Sequence, residues 1–173
     1  MDFDAWLAGL FGVNEREVKR LLDDEAVRHF LVAWSLFEST CFRGSLSAER
    51  FARFASRIVE AEGFNTNGLS ESAKHFHARY QDPEKFRNLL HRKSLTKLDP
   101  DELKMQDVLS KDVTTLTPTE TAFLSAFTAY RFRNNIFHGN KGVFSWLAFA
   151  KEIGYCVDAI QSFVTHARRC RPR

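Results

Sequence analysis

Apolar residues recur at three- and four-residue spacing through almost the whole chain, and no stretch alternates convincingly at period two. That periodicity predicts amphipathic helices, not strands. In residues 25–42, EAVRHFLVAWSLFESTCF, one stripe holds Val27, Phe30, Trp34, Phe37 and Cys41, and Leu31, Leu36 and Phe42 widen it. A helix apolar over so much of its circumference is expected deep in a bundle. Residues 48–62 repeat the pattern with Phe51, Phe54, Ile58 and Val59, and residues 70–80 with Ala73, Phe76 and Tyr80. A last helix, about 144–168, carries Trp146, Phe149, Ile153, Cys156, Val157, Ile160 and Phe163.

The polar positions between these runs mark where helices start and stop. Gly44 and Gly63 end two of them. Asp82-Pro83-Glu84 and Asp99-Pro100 each supply a capping acid followed by a proline at the first helical position. Thr117-Pro118 with Glu120 reads as a capping box at the head of a helix running toward Phe137. The expected fold is all-α: a bundle of four to five main helices, with short helices inserted between 64 and 112. A single domain is expected over 1–173, with a helical extension at 1–24 and a basic tail at 167–173. Residues 91–117 read as a polar, mobile connection.

Composition adds a core but no function. Hydrophobic residues make up 44% of 173 residues and include 17 Phe, enough for a large rigid interior. The net charge of +3 is too small to mark a nucleic-acid binder by itself. Its distribution matters more: HARRCRPR ends the chain with Arg168, Arg169, Arg171 and Arg173 and no acid, which suits a solvated tail or an arm for a phosphate backbone. Cys41, Cys156 and Cys170 have no metal-ligand spacing, and the first two sit among apolar neighbours. Without a leader segment or an apolar run of ~20 residues, the expectation is a reduced, cytoplasmic protein that does not engage a membrane.

One segment exceeds what a helix end requires. RFRNNIFHGNK, residues 131–141, crowds Arg131, Arg133, Asn134, Asn135 and His138 ahead of Gly139-Asn140-Lys141. On a wheel of ~100° per residue, Arg131, Asn134, Asn135 and His138 form one polar stripe, while Arg133 points elsewhere. A break in the helix at 136–138 would let Arg133 rejoin His138. Histidine exchanges a proton near neutral pH, and arginine's fork matches a phosphate. Together with asparagine, and with no second metal ligand nearby, they suit cleavage of a phosphodiester by a hydroxyl already on the substrate.

The same residues carry a resemblance. RNNIFH resembles the Arg-x4-6-His motif of the HEPN superfamily (higher eukaryotes and prokaryotes nucleotide-binding domains), in which a polar residue, often Asn, follows the arginine. Arg133-Asn134 and His138 fit with four residues between, and Arg131 to His138 fits with six, so the motif arginine is open. The helical setting, the Gly after the histidine, and the upstream WSLFES helix with its acid, Glu38, agree with that family. The resemblance implies a metal-independent endoribonuclease without cofactor. The RNA 2′-hydroxyl attacks the adjacent phosphorus, giving a 2′,3′-cyclic phosphate. His138 is then general acid or base, Arg133 or Arg131 stabilises phosphoryl charge, and Asn134 orients them. Asn135 and Glu38 support the site, while Lys141, Arg168 and Arg169 contact the RNA backbone. Implied partners are RNA, a second copy of the chain in a homodimer, and an antitoxin or other regulatory protein, as in toxin and defence systems. The family also holds non-catalytic members that bind RNA, nucleotide or a protein. Alternatively the segment only terminates a helix, with Asn134, Asn135, Gly139 and Asn140 as stop signals and the cations at its carboxyl end.

Other candidates are weaker. Glu38 at the rim of its helix is a solvated acid or a partner for a cluster arginine. His75 and His77 lie ~200° apart on a helix and do not chelate one ion. His29 and His91 read as surface groups, and HRKSLTK, residues 91–97, as a basic loop.

Overall fold

The computed structural model describes residues 2–42, 50–137 and 148–170. Among them there is no strand, and the fold is all-α. The main helices are α1 (Phe3–Phe11), α2 (Glu15–Leu22), α3 (Glu25–Cys41), α4 (Arg50–Glu60), α5 (Ser70–Tyr80), α6 (Pro83–Leu90), α7 (Pro100–Ser110), α8 (Pro118–Phe137) and α9 (Ala150–Arg169). Single 3-10 turns stand at Thr66–Leu69 and Val113–Thr115.

The start signals act as their chemistry dictates. Asp82 accepts from the backbone N–H groups of Glu84 and Lys85, with Pro83 at the first position. Asp99 and Glu102 close a capping box on α7. Thr117 and Glu120 do the same on α8: Glu120 Oε2 accepts from Thr117 N at 2.9 Å, and Thr117 Oγ1 from Glu120 N at 3.3 Å. Gly63 takes φ +78°, the left-handed turn that ends α4. The NTNG turn becomes the first 3-10 turn. There a Cβ on Gly68 would lie 2.8 Å from Ser162 Oγ, so a larger residue would have to turn that hydroxyl of α9 aside.

α8 is the central helix and touches α4, α5, α6, α7 and α9. Every residue from Ala122 to Ala129 is at most 1% exposed. Alanines at 122, 126 and 129 let neighbouring helices approach, while Phe123 and Phe127 fill the remaining space. Phe37, Phe54 and Phe163 join α3, α4 and α9 through ring pairs 5.2–5.7 Å apart. Burying each such side chain contributes about 1.5–3 kcal/mol. Cys41 and Cys156 are core residues, as expected.

Three expectations need correction. α3 does not lie deep on all sides: Leu31, Val32 and Leu36 are 39%, 63% and 38% exposed, so only one stripe is covered, mainly by α9 with α4 and α8 beside it. The connection at 91–117 is anchored, not loose. Arg92 clasps Glu102 with two bonds, at 2.9 and 3.2 Å, and Lys111 pairs with Asp107 and Glu120. Arg168 and Arg169 form the last turn of α9 and are not a frayed tail. The expected stop at Gly44 and the stripe residue Trp146 lie outside the described residues. The helical extension at 1–24 is two helices with a small core of their own, Leu7, Ala8 and Val18, separate from the main one. Among the described residues no helix is long and apolar enough to cross a membrane.

Candidate functional site at the end of α8

α8 stays helical to Phe137, so its last two turns present Arg131, Arg133, Asn134 and Asn135 in fixed directions. His138 and Lys141 lie outside the described residues.

The stripe expected from the wheel divides in two. Arg131 turns toward the carboxyl end of α6: its Nε donates to Leu89 O at 3.4 Å, and a second guanidinium nitrogen donates to Leu90 O. Asn135 joins it, its Nδ2 donating to Leu89 O at 3.0 Å from a buried position. The last carbonyls of a helix lack intrahelical donors, and these two side chains supply them. Glu102 of α7, 1% exposed, lies 4.0 Å from Arg131 and neutralises it in part. Burial lowers the pKa of the Arg131 guanidinium, with Glu102 opposing. Arg131 and Asn135 are thus committed to holding α6 and α7 against α8.

Arg133 and Asn134 face the other way. Arg133 donates to Asn134 Oδ1 at 3.2 Å, and its guanidinium carbon lies 6.0 Å from the centre of the Trp34 ring. Such a contact holds a cation against an aromatic face without neutralising it. Trp34 in turn donates from Nε1 to Glu38 Oε2 at 3.2 Å, so the indole joins Glu38 on α3 to Arg133 on α8. Arg133, Asn134 and Glu38 are all half-buried. The wheel separates Asn134 from Arg133, but the arginine is long enough to close the gap along the surface.

A second polar cluster was not anticipated from the sequence. Glu152 of α9 accepts Arg79 of α5 at 2.8 Å and lies 3.7 Å from His75 Nε2. His75 stacks on Tyr155, with ring centres 4.3 Å apart, and Arg79 covers Phe149, which packs on Phe132 of α8. Burial lowers the His75 pKa, opposed by Glu152. The only hint in the chain is the four-residue spacing of His75 and Arg79; nothing there points to a glutamate 77 positions from His75. His77 is buried away from this cluster, and His29 and His91 are exposed, as expected.

The basic loop 91–97 has its arginine spent on Glu102. Arg168 and Arg169 are exposed on α9. Among the described residues no group of three His, Cys, Asp or Glu side chains is placed to hold a metal ion. No family model matches the chain, and neither a curated protein nor a solved structure matches it.

Proposed function

We propose that the protein is a metal-independent endoribonuclease of HEPN type, in which RNA is cleaved by its own 2′-hydroxyl to leave a 2′,3′-cyclic phosphate. The observation that carries this reading is the division of labour at the end of α8. Arg131 and Asn135 bind the α6 carbonyls, whereas Arg133 and Asn134 pair with each other, half-exposed, with four residues between Arg133 and His138. This favours Arg133 as the motif arginine. In this reading His138 moves the proton, Arg133 stabilises charge on the phosphoryl oxygens, and Asn134 fixes the arginine's fork. Glu38 holds the Trp34 platform under Arg133. Arg168, Arg169 and Lys141 contact the RNA backbone, and the active form is a homodimer, with an antitoxin or other regulator as further partner.

The test compares wild type with His138→Ala on single-stranded RNA in excess EDTA. The general acid–base role predicts a loss of roughly 10²- to 10⁴-fold. Equal cleavage by the two proteins would overturn it.

A specific observation also favours a second reading. Because Arg131 and Asn135 serve as a cap for α6, the polar crowding at 131–135 is partly explained without chemistry. A non-catalytic HEPN-like domain that binds RNA, nucleotide or protein fits that observation. It predicts binding of single-stranded RNA without cleavage by either protein.

A further inference from the structure

The hairpin α1–α2 and the outer face of α3 leave two apolar surfaces uncovered on one chain. On α1, Phe3, Trp6 and Leu10 stand at i, i+3 and i+7 and are 56%, 47% and 62% exposed. The hairpin's small core takes Leu7 and Ala8 from the adjoining face of the same helix and leaves these three uncovered. Between α3 and α9 runs a groove of about 390 Å³. Val157, Ile160 and Val164 make its floor, and the exposed Val32 and Leu36 its wall. An amphipathic helix with anchors at i, i+3 and i+7 is the shape that fills such a groove.

Charge pairs the same two surfaces. From Asp2 to Val13 the only charged side chains are Asp2 and Asp4. No acidic residue lines the groove, and beyond Thr165 at its edge stand the exposed Arg168 and Arg169.

The hairpin does not reach the groove of its own chain. Only Asp23 and Asp24 separate α2 from α3, and both are tied down. Asp23 N donates to Lys19 O at 2.9 Å, and Arg28 donates to Asp23 O. Asp24 caps α3 by accepting from Val27 N at 3.1 Å, and its own N donates to Leu21 O. No residue of α1 or α2 lines the groove of its own chain.

We infer that α1 of one copy docks in the α3–α9 groove of a second copy, and that the exchange is reciprocal. A two-fold arrangement uses both surfaces on both chains and closes the assembly at two. The inference stands on these surfaces and not on the nuclease reading; its test reads mass alone.

Light scattering on the full chain at high micromolar concentration should give twice 20.0 kDa. Trp6→Glu and Val32→Glu place a charge on α1 and on the groove wall at exposed sites, so each should fold, with unchanged circular dichroism, and run as a monomer. Mixed together they should associate again, because the intact helix of the Val32→Glu chain meets the intact groove of the Trp6→Glu chain. A monomeric wild type overturns the inference, and so does a dimer that survives both substitutions. Folded monomeric variants that fail to associate when mixed would overturn the pairing of this helix with this groove.

Discussion

Two sides of one helix end do different work with the same residue types. On one side Arg131 and Asn135 are bound to carbonyls at the end of α6, with Glu102 nearby. On the other, Arg133 and Asn134 bind each other above the ring of Trp34. An arginine bonded to backbone carbonyls beside a buried carboxylate has its charge answered and its fork occupied. Arg133 instead rests on an indole and bonds a neighbouring side-chain amide at a half-buried position. What decides the role is what the neighbouring helices leave open, and the residue type does not.

The strongest way to break this comparison is to exchange the roles. Arg133→Ala should lower RNA cleavage by about 10²- to 10³-fold, as for loss of a charge-stabilising group. Its stability should change less than that of Arg131→Ala, since the Arg133 side chain is half-exposed and bonds the neighbouring Asn134. Arg131→Ala should do the reverse. It removes charged hydrogen bonds to buried carbonyls, a loss of about 2–3 kcal/mol in urea denaturation, with a smaller effect on cleavage. If Arg131→Ala proves the more damaging to cleavage, the helix continues through His138 and Arg131 is the motif arginine.

A finer test stays on the structural side. Asn135→Ala should cost about 1–2 kcal/mol by leaving Leu89 O with one donor fewer. Because Arg131 shares that acceptor, each single variant leaves Leu89 O one of these side-chain donors and the double variant neither, so the double loss should exceed the summed losses by about 0.5 kcal/mol or more. Strict additivity would mean that the two side chains do not act on the same carbonyl.

The smallest effects concern protons. Asp101, next to Glu102 on α7, is 3% exposed and accepts from the backbone N–H groups of Phe51 and Ala52 at the head of α4. Burial pushes its pKa up to about 6 in spite of those bonds. The folded protein therefore holds a proton that the unfolded chain, with a carboxyl near ~3.9, gives up. Asp101 should make stability rise as pH falls from about 6 toward 4. Asp101→Asn should flatten that rise in denaturation curves taken across this window. His75 acts with opposite sign. Its lowered pKa means the folded state takes up its proton less readily, so stability is lost as pH falls below the usual histidine range. His75→Gln should make that loss shallower.

Local chemistry was readable along the chain; distant partners were not. Thr117, Asp82 and Asp99 bond groups within three residues of themselves, so their roles follow from spacing alone. The separation of Arg131 from Arg133 depends on Leu89 and Leu90, more than forty positions away, and no wheel contains them. The width of the apolar stripe on α3 was legible, but not that α9 covers only part of it. Glu38 was visible as a rim acid, while its bond to Trp34 depends on a rotamer. The His75–Glu152–Arg79 cluster needed α5 and α9 side by side.

Glu102 has a consequence for how this sequence can drift. One carboxylate closes the capping box with Asp99, grips Arg92 and lies beside Arg131. Arg92 from the preceding loop and Arg131 from α8 thus converge on one carboxylate with almost no access to water. Removing it alone leaves Arg92 with only Asp99, 4.0 Å away, and Arg131 with backbone carbonyls and, among the described residues, no ion pair; removing one arginine alone leaves a buried acid half-answered, a loss of several kcal/mol. Neither change is an easy first step. In chains descended from this one, positions 92, 99, 102 and 131 should therefore alter together or not at all, and a set of diverged sequences read at those four columns would reveal it as joint substitution.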